Sequence, residues 1–223
     1  MSLDHLFHRI SDARRAEVLT HRSWSSEALP SFERLELLGD AVLQVIVTEA
    51  LMEAHPTADE GELAWMRQTI VDRRACADAA TRAGLVAAFG AQAPADVPGR
   101  SAILSSARVH AALTEALIGA AWRDLPTDDV RAGVVAEFAA DLARATPGRR
   151  DPKTALQEEA ARQQLEVRYE LASTAGPAHA RRFESRVIVG GRELGCGAGT
   201  SKRASETAAA TEALHHFVAV SEC

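Results

Sequence analysis

One twelve-residue run constrains this chain more than any other: Phe32-Glu33-Arg34-Leu35-Glu36-Leu37-Leu38-Gly39-Asp40-Ala41-Val42-Leu43. A helix turns about 100° per residue, so spacings of three and four place Glu33, Glu36 and Asp40 on one narrow stripe. Leu35, Leu38, Val42 and Leu43 supply the buried remainder. Like charges at these spacings repel, and an isolated helix gains nothing from them. Three acids on a generic core helix are most simply a solvated face. The sharper alternative is that something positive offsets the repulsion. A hard divalent cation suits that role, because Mg2+ takes oxygen ligands and is often held by one or two carboxylates plus substrate phosphate.

Around this run the first 145 or so residues predict helix after helix. The acidic helix continues through Gln44 to Leu51 and ends at His55-Pro56-Thr57, where proline cannot extend the ladder. Asp59-Glu60-Gly61-Glu62 opens the next helix, with acids at its positive end. Gly84, Gly90, Pro94 and Pro98-Gly99 mark a looser region. Ala102 to Trp122 and Val130 to Leu142 predict two more helices. Asp128-Asp129 fits a helix start, and Trp24, Trp65 and Trp122 fit core or interface positions.

The texture changes after Ala145-Thr146-Pro147-Gly148-Arg149-Arg150-Asp151-Pro152, a short stretch rich in Pro, Gly and charge. Thr154 to Gln164 predicts a helix. Val167 to Leu171 and Phe183 to Val189 alternate as strands do. Gly176-Pro177 and Gly190-Gly191 mark turns, Arg192 to Gly199 a third strand, and Ser201 to Val218 an alanine-rich helix. His215-His216 fits a helix surface.

The formal charge of −6 argues against a chain coated in positive charge, yet leaves room for local basic patches. Cys76, Cys196 and Cys223 are odd in number and far apart, which suits neither a disulfide framework nor a zinc site and fits a reducing cytosol. No apolar run nears the roughly 18 residues of a membrane helix, and the N-terminus has no basic-then-apolar leader pattern. These features lead to the expectation of a cytoplasmic protein with no membrane contact.

The string Glu-Arg-Leu-Glu-Leu-Leu-Gly-Asp-Ala-Val-Leu, with His21-Arg22-Ser23 upstream, resembles the signature of the ribonuclease III family. Thr114-Glu115-Ala116-Leu117-Ile118-Gly119-Ala120 resembles that family's second acidic block. The C-terminal order of helix, three strands and helix resembles a double-stranded-RNA-binding domain. The resemblance implies two domains: an all-α nuclease domain over 1–146, a linker over 147–152, and an α+β (α-β-β-β-α) RNA-binding domain over 153–220.

It further implies that Glu36, Asp40 and Glu115 face one another and bind Mg2+, with Mn2+ able to substitute. Asp40 and Glu115 would be catalytic, and Glu33 and Glu60 would be additional acids nearer the RNA. Thr154, Gln157 and Glu158 share one helix face and offer groups suited to 2′-hydroxyls. His179, in the loop after Gly176-Pro177, would enter the next minor groove, and Ser201, Lys202 and Arg203 would meet phosphate at a helix start. Residues 151–223 hold nine Lys/Arg against ten Asp/Glu, so any attraction for RNA is local. Ser205 and Glu206 follow the Lys-Arg pair and predict weaker binding than in the most basic members.

The implied activity is that of a homodimeric, Mg2+-dependent endonuclease for double-stranded RNA, acting in ribosomal and messenger RNA processing. It would leave 5′-phosphate and 3′-hydroxyl ends with short 3′ overhangs. Two departures stand out. Ala112 occupies the position of a family aspartate, with Arg108 one turn further back, so a duplex-RNA-binding homologue with impaired catalysis is the alternative. Leu37 stands where an aromatic residue often plugs into the partner, which predicts a differently packed interface.

Overall fold

The computed structural model describes residues 2–147, 151–177 and 181–221, with backbone alone over 217–221. Two compact units divide the chain, Met1–Pro147 and Gly148–Cys223. The expected linker, 147–152, includes residues 148–150, which lie outside the described residues.

Among its described residues the first unit is built of helices joined by turns, with no strand. α1 (Leu3–Arg9) and α2 (Asp12–Val18) precede a short 3-10 turn (Arg22–Trp24) and the long α3 (Glu33–Ala54). α4 (Glu60–Ile70) starts on a capping box: Asp59 accepts from the Glu62 amide while the Glu62 side chain accepts from the Asp59 amide. α5 (Arg73–Arg82), α6 (Leu85–Gln92), α7 (Arg100–Leu104), α8 (Ala107–Asp124), α9 (Thr127–Glu137) and α10 (Ala139–Arg144) complete it.

Three sequence expectations need correction here. The looser region contains α6, which starts from Gly84 at φ +71° and buries Leu85 and Phe89. The helix expected over Ala102 to Trp122 is two helices, because Ser106 leaves the helical region at ψ 114° and its side chain accepts from the Val109 amide to start α8 afresh. Val130 to Leu142 is likewise split at Phe138, a fully buried ring between α9 and α10.

The core of this unit runs along α3 and α8. Leu35, Val42, Leu43 and Ile46 of α3 pack with Leu113, Leu117 and Ile118 of α8, and with Leu6, Phe89 and Phe138. Trp24 lies against Phe89, ring centroids 5.3 Å apart, and Trp122 also packs on this core.

The second unit follows the expected order closely: α11 (Pro152–Arg162), β1 (Val167–Ala175), β2 (Arg182–Val189), β3 (Arg192–Gly199) and α12 (Lys202–Ser221). The strands form an antiparallel sheet in sequence order, with Tyr169 opposite Val187 and Val189 opposite Arg192. Gly190 and Gly191 both take positive φ, 56° and 83°, as a two-residue hairpin turn that keeps the strand twist requires. Leu156, Ala160, Val187, Val189, Ala209, Ala210 and Ala213 form its core.

Candidate active site and RNA-contact face

The acidic site is built on a crossing of two helices too close for side chains. A Cβ added to Gly39 of α3 would fall on the Glu115 carbonyl of α8 and lie 2.8 Å from the Gly119 nitrogen. A Cβ on Gly119 would in turn meet the Leu35 carbonyl. Glycine at both places lets the backbones touch, and Glu36 and Asp40, flanking Gly39, come next to Glu115. The hydroxyl of Thr114, fully buried, donates to the Cys76 carbonyl at 2.8 Å and ties α8 to α5.

Glu115 and Glu36 feel both burial and the charge of neighbouring acids. Burial, then the charge of Asp40, then that of Glu36 push the Glu115 carboxyl up to about 7. Burial also raises Glu36; Arg108 acts against that rise, while Glu33 and Asp40 add to it. Beneath them Cys76 is held as an inert thiol, pushed up to about 12 by burial and by Glu115, Asp72 and Asp40. Both carboxylate oxygens of Asp40 accept from the Gln44 amide, at 3.0 and 2.9 Å. Gln44 is a site residue that sequence reasoning missed; its position four residues beyond Asp40 was the available signal. A cleft of about 520 Å3 opens beside Asp40, lined by Leu37, Gln44, Val45 and Arg67 among others.

The outer acids separate. Glu33 pairs with Arg22 at 3.3 Å, which gives the His21-Arg22-Ser23 motif a physical link to the acidic helix. His21 holds that turn in place, its Nδ1 accepting from the Ser23 amide at 3.2 Å. Glu60 is exposed at the start of α4 and is not among the charges acting on Glu36 or Glu115. Ala112, only 4 % exposed, faces the core and brings no charge.

Among the described residues no group of three or more His, Cys, Asp and Glu side chains stands in a metal-holding geometry. The donor chemistry nevertheless fits a hard dication. Asp40 and Glu36 raise the partly buried Glu115 carboxyl, and Asp40 and Glu33 add to the rise of Glu36, so a cation there would relieve the repulsion.

In the second unit Asp151 caps α11 through the Lys153 and Thr154 amides. Thr154, Gln157 and Glu158 are all exposed. Ser201 caps the start of α12, its hydroxyl accepting from the Ala204 amide at 3.1 Å, and Lys202 and Arg203 follow it into solvent. His179 lies outside the described residues. Ser205 is fully buried and bonds Ser185 at 2.7 Å, so its side chain belongs to the interior rather than to the RNA face. Glu206 takes Lys153 at 2.5 Å and Lys202 at 4.0 Å, and thereby offsets part of the local positive charge. Close approach recurs here: a Cβ on Gly195 of β3 would meet the Ala209 carbonyl of α12 at 2.5 Å, and one on Gly197 would collide with the same turn.

Residues 14–142 match a family model described as ribonuclease-III-like, and residues 152–216 match one for the double-stranded RNA binding motif. Ribonuclease 3 of Nocardia farcinica is 38% identical over 213 residues, spanning 91% of this chain and 86% of that protein. Ribonuclease 3 of Thermobifida fusca is 37% identical over 211 residues, spanning 92% and 85%. The crystal structure of the nuclease domain of ribonuclease III from Campylobacter jejuni shares the fold, with TM-score 0.53 at 22% identity over 62% of this chain and 92% of that one. With both family matches falling in the order of the two folded units, this chain belongs to the ribonuclease III family.

Proposed function

We propose that the protein is a Mg2+-dependent endoribonuclease that cuts double-stranded RNA at the Glu36–Asp40–Glu115 cluster. The observation that carries this reading is the glycine-to-backbone crossing of α3 and α8, which sets Glu36 and Asp40 beside a half-buried Glu115 whose carboxyl they help to raise. A fold keeps repelling acids together at a cost, and perturbed carboxyls beside a cleft are a recurrent mark of function. Glu36, Asp40 and Glu115 would hold the ion. When bound, Mg2+ supplies a water of lowered pKa and neutralises charge on the phosphate. Gln44 fixes the Asp40 carboxylate, and the close Gly39–Gly119 contact fixes the spacing of the two helices. Hydrolysis would break the P–O3′ bond and leave 5′-phosphate and 3′-hydroxyl ends.

Two cuts across one duplex need two sites related by a two-fold axis, so the working unit is a homodimer that leaves short 3′ overhangs. Leu37, Val45 and Met52 support this; they are 76%, 51% and 55% exposed along one side of α3. A related structure from Campylobacter jejuni is described by its region involved in dimer formation. Thr154, Gln157, Ser201, Lys202 and Arg203 would grip the duplex, and the cellular setting would be ribosomal and messenger RNA processing in the cytoplasm, with Mn2+ as a substitute ion.

Labelled duplex RNA incubated with the full chain in Mg2+ or EDTA tests the reading. Cleavage in Mg2+ alone, abolished in Asp40→Asn, is the expected result. Retention without cleavage would favour the second reading, a duplex-RNA binder with impaired catalysis. The buried Ala112, in place of a carboxylate, is the observation behind that second reading. An Mg2+ titration separates the degrees: Ala112→Asp should lower the concentration needed by roughly 10-fold or more.

A further inference from the structure

We propose that Arg108 is a contact to the RNA backbone at the acidic site, a protein-borne cation that receives a duplex phosphate beside Glu36. The inference deepens the reading above and rests on duplex RNA being the substrate. It begins with the break between α7 and α8. Because Ser106 restarts the helix, Arg108 is the second residue of α8, and it shares a stripe with Ala112 and Glu115 at spacings of four and three. Ala112 is buried and uncharged, so nothing on that stripe separates the guanidinium from the acidic cluster. Arg108 itself is exposed, and among the described residues its guanidinium makes no ion pair or hydrogen bond. Its charge is nevertheless felt at Glu36, where it opposes the effect of burial.

The placement is unfavourable for the helix alone. A cation in the first turn meets the positive end of the macrodipole, and that turn of α8 contains no acid to offset it. A phosphodiester approaching Glu33, Glu36, Asp40 and Glu115 meets carboxylates on every side. Of the cations acting on them, Arg22 is engaged with Glu33. Arg108 is left as a planar fork of donors in solvent at the edge of the cluster, a geometry that suits phosphate oxygens. Ala112, one turn along the same stripe, carries no acid that could pair with Arg108.

Binding of a duplex RNA to the full chain in EDTA, at several salt concentrations, tests the assignment without any cleavage. Arg108→Ala should weaken binding roughly 3–10-fold and reduce the slope of log Kd against log salt by about 1. Arg108→Lys should keep the slope. If Arg108→Ala binds with the affinity and slope of the parent chain, Arg108 is only a counter-ion to Glu36 and the proposal is overturned. Thermal unfolding of both variants, expected at or slightly above the parent's temperature because a first-turn cation is unfavourable, excludes a folding defect as the cause. Should the parent chain bind RNA yet fail to cut in Mg2+, the nuclease reading falls, while the binding comparison still decides the role of Arg108.

Discussion

The α3–α8 crossing and the α12–β3 contact use the same device for opposite ends. In both, glycines let one backbone lie directly on another: Gly39 and Gly119 in the first unit, Gly195 and Gly197 in the second. In the first, close approach drives like charges together in a partly buried place and raises the Glu115 carboxyl to about 7. In the second, the packed surfaces are alanine and glycine, and the charged residues Lys202 and Arg203 stay in solvent. The lesson concerns where charge is kept. On the proposed reading, the acidic cluster stores electrostatic repulsion that a bound cation would relieve. A surface meant to follow a duplex leaves its cations hydrated and makes use of phosphate charge and released counterions.

The largest expected effect breaks either contact outright. Gly39→Ala places a methyl on the Glu115 carbonyl and should cost about 3 kcal/mol or more, removing cleavage while duplex binding by the second unit survives. Gly197→Ala should do the reverse, with binding lost first. Urea unfolding read alongside both assays would show it; a Gly39→Ala protein as stable as the parent would refute the backbone contact.

Next in size, Glu115→Gln should lower cleavage about 100-fold or more without changing RNA affinity in EDTA. The complementary double change, Lys202→Ala with Arg203→Ala, should weaken binding several-fold, reduce the salt slope by about 2, and leave turnover at saturating RNA intact. A common loss of both properties in either variant would erase the division of labour.

The smallest effect is on pH dependence. Glu115 is raised from an ordinary 4.5 to about 7, so the stability it contributes is fully present below about 4.5 and lost as pH rises through about 7. Metal-free protein should therefore unfold a few °C lower at pH 8 than at pH 5 on account of this group, and Glu115→Gln should flatten that part of the profile. An unchanged profile in the variant would place the titration elsewhere.

Much of this was legible in the residues. The period of Glu33, Glu36 and Asp40 gave one helix, and that helix runs from Glu33 to Ala54. The acids at Asp59 to Glu62 and the paired glycines at 190 and 191 marked a helix start and a hairpin. Local signals failed where burial overrode them. Gly84 to Gly99 looked like punctuation, yet α6 forms there because Leu85 and Phe89 reach the core. Phe138 splits the single helix expected over Val130 to Leu142. Ser205, read only as a non-basic residue after the Lys-Arg pair, is a buried partner of Ser185.

The sequence by itself determined the residue types: carboxylates at helical spacing, glycines inside two helical runs, a basic pair at a helix start. It determined them because period, capping and turn chemistry are local, and act within a few residues. Only the tertiary structure decided which acids share a dielectric environment. Glu115 is seventy-five residues from Asp40 in the chain, and no spacing rule links them. Their coupling exists because Gly39 and Gly119 let two backbones touch. The same contact lets Glu36 feel Arg108 while Glu33 turns to Arg22 and Glu60 stays apart.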